Sequence, residues 1–183
     1  MAFTILSATA QELSWQGVGP VTLGMTVTEA ERALNAKLGP MEPPYTSECY
    51  VVSRADGKDE ALSYVIVDGR IAVISLFLDD GRRPDPKIVD ANGIGVGSTE
   101  TDIERAYGAT ERTFAPYESE ETAEEMADRL KHGVTETPPP PNHWVIAKNQ
   151  DATRAIIFET RDRKVIYWRT GLLPAVMSWE DCI

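Results

Sequence analysis

The sequence predicts an α+β protein: a tandem repeat of one helix followed by antiparallel strands, with the helices packed on one face of a shared antiparallel sheet. Three observations predict it. "GMTVTEAERAL" (residues 24–34) is answered by "GSTETDIERAY" (residues 97–107). Each copy is followed by apolar runs of strand length with a turn between them. The chain has 183 residues, enough to bury a core without a metal. Residues 11–183 are expected to form a single domain of two repeats, 17–90 and 91–183, the second carrying an insertion at 115–142.

The segment before the first repeat, "MAFTILSATA" (residues 1–10), joins an apolar stretch to an Ala-x-Ala pattern. This is how a secretory signal ends. The basic n-region is missing, so it reads as a truncated signal or as a plain N-terminal strand. No cysteine lies near the cleavage point and no run approaches the roughly 18 apolar residues of a membrane-spanning helix, so neither a lipid anchor nor a membrane span is expected.

The helices come next. Thr26 and Glu29 in the first copy, and Thr99 and Asp102 in the second, have the spacing of a capping box. The threonine oxygen accepts from a first-turn N–H while the carboxylate reaches back to the cap N–H. Val27, Ala30, Leu34 and Leu38 then fall on one helical stripe, as do Ile103, Ala106 and Tyr107. Gly39-Pro40 and Gly108 supply the stops. Strand-like runs follow at 48–53, 61–67 and 71–78 in the first half, and at 143–148, 154–160 and 164–170 in the second. Asp68-Gly69 between two apolar runs is a hairpin signal.

Within the insertion, residues 117–132 ("YESEETAEEMADRLKH") are acidic, with Ala123, Met126, Ala127 and Leu130 at i, i+3, i+4 and i+7. An extra amphipathic helix is expected there. The prolines of "TETPPPPN" (residues 135–142) exclude helix and favour an extended arm. The segment reads as a helical flap or as a surface loop without a role.

These paired helices, each followed by a small antiparallel sheet, resemble the repeat of the beta-lactamase inhibitor protein family. They also resemble the single such unit in the small lipoprotein of the outer-membrane assembly machine (SmpA/BamE-like). The C-terminal "SWEDC" and the early "ECY" resemble exported bacterial proteins of the same layout. The resemblance implies binders or scaffolds rather than enzymes. The lipidation cysteine of the assembly lipoprotein is absent from this sequence.

The formal charge is -11, from 29 acidic and 18 basic residues. It repels nucleic acid and anionic lipid and suits a basic protein partner. Two cysteines, Cys49 and Cys182, are an even count in an exported chain and read as one disulfide, with two buried thiols as the alternative. A periplasmic or secreted location follows.

No motif names a catalyst. The glycine clusters at 17–24 and 93–98 lack the P-loop's Gly-Lys-Ser/Thr. His132 and His143 are the two histidines, without metal-ligand spacing, and no metal or cofactor is expected. Asp79, Asp80 and Asp85 lack calcium-loop spacing and read as a solvated turn. Tyr64, Trp144, Tyr167, Trp168 and Arg169 lie on expected strands. Strict alternation groups Val165, Tyr167 and Arg169 on one face, with Ile166 and Trp168 on the other. These five residues are interface anchors on an open sheet face, or else core. The sequence therefore suggests an exported non-enzymatic protein-binding module of inhibitor, immunity or envelope-accessory type. The alternative is a cell-wall polymer hydrolase or carbohydrate-binding module using carboxylates and aromatics.

Overall fold

A computed structural model describes residues 12–40, 46–57, 62–76, 88–119, 121–135, 139–179 and 182. The signal-like segment and the Asp79–Asp85 turn lie outside the described residues, as do the middle of the Pro-rich stretch and the end of the expected strand at 71–78. In the first half the chain forms β1 (Glu12–Ser14), β2 (Gly17–Val18), β3 (Val21–Thr22), α1 (Val27–Leu34), β4 (Leu38–Pro40), β5 (Cys49–Arg54), β6 (Leu62–Val67), β7 (Arg70–Leu76) and β8 (Val89–Asp90). In the second it forms α2 (Glu100–Tyr107), β9 (Glu111–Phe114), α3 (Ala123–Lys131), β10 (His143–Lys148), β11 (Arg154–Arg161), β12 (Lys164–Leu172) and a short 3-10 turn, Ala175–Met177.

The fold class differs from the sequence expectation. The protein is mostly β: 42% of the described residues are in strands and 19% are helical, in three helices, with one sheet of four strands and one of eight. It is not an α+β alternation of helix and strands written twice. Two things tip the balance. The segments around Leu13, Val18, Val21 and Asp90, too short to show a period, pair into the order β3-β2-β1-β8, with β1 parallel to β8. The helical stripe through Leu34 stops early, because Asn35 takes a left-handed conformation (φ 48°) that ends α1. Leu38 then starts strand β4 instead of a last helical turn.

The large sheet runs β4-β5-β6-β7-β12-β11-β10-β9, antiparallel throughout. Its first face packs on α1, α2 and the small sheet. Tyr64, Ile74, Phe158 and Trp168 meet Ala30, Ile103, Leu13 and Val21 there. Its second face carries Val65, Val73, Trp144, Ile146 and Ile157, covered in part by Val176 of the 3-10 turn.

Both helices start in the same way. Gly24 (φ 88°) and Gly97 (φ 91°) turn the chain in, and their N–H groups donate to Ile71 and Val165. Their positive φ is the conformation that glycine alone adopts freely. Capping boxes then form at Thr26/Glu29 and Thr99/Asp102. Each carboxyl is held below its ordinary pKa: Glu29 by the Thr26 N–H and then its hydroxyl, Asp102 by the Thr99 hydroxyl and then its N–H.

Candidate functional site

The five strand residues do not share an open face. Tyr64 (1% exposed) and Trp168 (0%) point to the first face and are core. Trp144 (3%) and Arg169 (2%) are buried on the second face, and Tyr167 is half-buried. The expected grouping fails because of a β-bulge. Glu159 opposes Tyr167 and Thr160 opposes Val165, so Ile166 is an extra residue. Val165 and Trp168 thereby share the helix-covered face. The sheet's second face is not bare either. Arg169 donates to Ser75 (3.3 Å) and to the Ser178 carbonyl, drawing the C-terminal segment across it. Cys182 is bonded to Cys49, with Cα atoms 5.2 Å apart, and this closes the segment down.

A different cluster stands out on that face. Glu159, 7% exposed, is the acceptor at its centre. Its Oε1 accepts from the Tyr117 hydroxyl and from Asn142 Nδ2 (2.8 Å), and its Oε2 accepts from Trp144 Nε1 (3.2 Å). Asn142 Oδ1 accepts from Arg161 Nε (2.9 Å). The carboxylate is thus satisfied by neutral donors, as a buried acceptor must be. Burial first, then the bond to Glu159, pushes the Tyr117 hydroxyl pKa well up, so it stays a donor.

This cluster ties down the segment between Ala115 and Asn142. The Ala115 N–H donates to the Asn142 carbonyl (3.0 Å), closing the neck of the loop. Tyr117 stands just past the neck, the residue 48% exposed, against Trp179, also 48% exposed, at 5.8 Å between centroids. Beyond the neck lies α3. Thr122 and Glu125 form a third capping box, and Arg129 pairs with Glu121 at 2.6 Å. None of the helix's residues is buried. Met126 is 45% exposed, Leu130 51% and Val134 49%.

The sequence-level signals for these parts existed. Thr122-Ala-Glu-Glu125 has the spacing of the other two caps. Glu159 interrupts the otherwise apolar run of β11 at an inward position. Tyr117 and Trp179 carried no pattern, since only the fold brings them together.

The two histidines stand apart. His132 ends α3, its Nδ1 against the Asp128 carbonyl (2.8 Å), and the His143 ring lies 4.8 Å from Phe114. Among the described residues no group of three His, Cys, Asp or Glu side chains could hold a metal, and no helix is long and apolar enough to cross a membrane. No family model matches the chain, and no curated protein or solved structure matches it either.

Proposed function

We propose that this is an exported, non-enzymatic protein-binding module, and that it binds through the arm between Ala115 and Asn142 rather than through the strand aromatics. One observation carries the reading: α3 is a capped amphipathic helix whose apolar side chains are spent on nothing within the described residues. Exposed Met126 and Leu130 on a formed helix, with Val134 just beyond it, suit helix-mediated recognition. The disulfide suits an oxidising compartment outside the cytoplasm. The test is capture from bacterial envelope extract with three baits: the native chain, a chain with residues 121–135 replaced by a Gly/Ser linker, and Tyr167→Phe. A stoichiometric partner should be held by the first and third and lost by the second. Capture that ignores the arm removes the proposal.

A second reading rests on the Tyr117–Trp179 ring pair. Exposed rings beside Asn142 form a platform on which a sugar could stack. Both Glu159 oxygens already accept hydrogen bonds, which favours binding over hydrolysis. Cell-wall fragments should then quench tryptophan fluorescence in the native chain and not in Trp179→Ala. Equal response from both proteins removes it.

A further inference from the structure

We propose that the exposed stripe of α3 docks a basic, amphipathic segment of a partner protein. The inference deepens the binding-module reading above and rests on it. The stripe is apolar: Met126 and Leu130 lie one helical turn apart, with Val134 just beyond the helix. The surround is acidic. Among the described residues of 117–132, once Glu121 and Arg129 are paired, Glu118, Glu124, Glu125 and Asp128 stand against Lys131. Arg129 is already neutralised by Glu121 and donates to the Val134 carbonyl (3.0 Å). Its positive charge is therefore not offered outward. A negative field around an apolar strip attracts lysine and arginine and repels like charge.

That field decides among occupants. A second copy would bring the same acidic segment against itself, and an anionic lipid surface would meet the same repulsion. Size argues against self-association as well. Nine helical residues span about 13 Å, too little for the roughly 800 Å² per side of a stable dimer. A cationic, apolar-faced segment satisfies both charge and stripe. The helix is held by its own cap and its own ion pair, so it presents the stripe before a partner arrives.

The experiment uses defined probes on the full chain. They are a 14-residue Leu/Lys amphipathic peptide, the same composition scrambled to abolish the apolar face, and a Leu/Glu counterpart. Binding is read by fluorescence anisotropy at two salt concentrations. The Leu/Lys peptide should bind at least about tenfold more tightly than the other two, and more weakly at high salt. Met126→Asp/Leu130→Asp should weaken it by about tenfold or more, although it adds negative charge. Glu104→Lys, distant in sequence and on α2, should change little. Circular dichroism melts check that the variants fold. Binding unchanged by the double substitution overturns the proposal, as does equal affinity for the Leu/Glu peptide. A dimer or anionic-vesicle binding that the substitution abolishes assigns the stripe elsewhere and also overturns it. A partner captured through α3 by a neutral or acidic segment would leave the binding-module reading standing and defeat this inference alone.

Discussion

Glu159 shows how one side chain can organise an element far along the chain. Its two oxygens collect Tyr117, Asn142 and Trp144, which come from the two ends of the arm between Ala115 and Asn142 and from β10. Glu159→Gln replaces one acceptor with a donor facing donors, so a buried polar group is left unpaired. The expected cost is about 1–3 kcal/mol in urea unfolding. Tyr117→Phe removes one donor but leaves Asn142 on the same oxygen, and should cost about 1 kcal/mol. Equal losses would mean the carboxylate is not the hub. Alkali tests the same contact. Tyr117 and Tyr107 are both pushed above the ordinary tyrosine value of 10.0, by burial and then by Glu159 and Asp90 respectively. A raised group contributes stability that is complete below pH 10 and is lost as pH climbs beyond it. The native melting temperature should therefore fall above pH 10, and fall less in Tyr117→Phe. Residue-level reading of the sequence reached the caps and the cysteines, whose partners are local or follow from chemistry. Glu159 shows in the sequence only as a carboxylate at the parity of Ala155 and Ile157; its donors Tyr117 and Asn142 come from segments that only the fold brings beside β11.

The three helices share one capping device and differ in what they bury. Ala30 and Ile103 seat α1 and α2 on the core, whereas no residue of α3 is buried. Thr26→Ala and Thr99→Ala should each destabilise the protein by about 1 kcal/mol. Thr122→Ala should reduce helix content and leave the melting temperature where it was. A matching loss of stability at all three would contradict the free-standing arm. Acid probes the caps together. Glu29 and Asp102, in the caps of the two core-seated helices, lie below their ordinary values of 4.5 and 3.8 because of cap N–H and hydroxyl bonds. Depressed groups contribute stability present above those values, and it is lost as pH falls through the lowered ones. The melting temperature should start to drop below about pH 4.5. Period-based reading located the long strands β6, β10, β11 and β12, but it assumed unbroken alternation. The extra residues Ala72 and Ile166 break it, and bulges leave no local signature.

At the scale of the molecule, the C-terminal segment acts as a clasp over the second face of the large sheet. Gly171 lets Val176 approach: a Cβ there would lie 2.8 Å from the Val176 side chain and 2.8 Å from the Ala72 carbonyl. Gly171→Ala should cost about 1–3 kcal/mol through overpacking and loosen the clasp. The disulfide closes residues 133 apart in sequence. Cys49→Ser/Cys182→Ser should lose about 2–4 kcal/mol, seen as a lower urea midpoint under non-reducing conditions. A midpoint that does not move would show that the clasp adds nothing to the fold. The helix caps, the principal strands and the amphipathic helix α3 are legible in the amino-acid order alone, because each depends on residues a few positions apart. Tertiary structure alone decided the balance toward β, the second sheet, the burial of the strand aromatics and the meeting of Tyr117 with Glu159 and Trp179. Those outcomes depend on pairing between distant segments, where burial and hydrogen-bond satisfaction outweigh local preference.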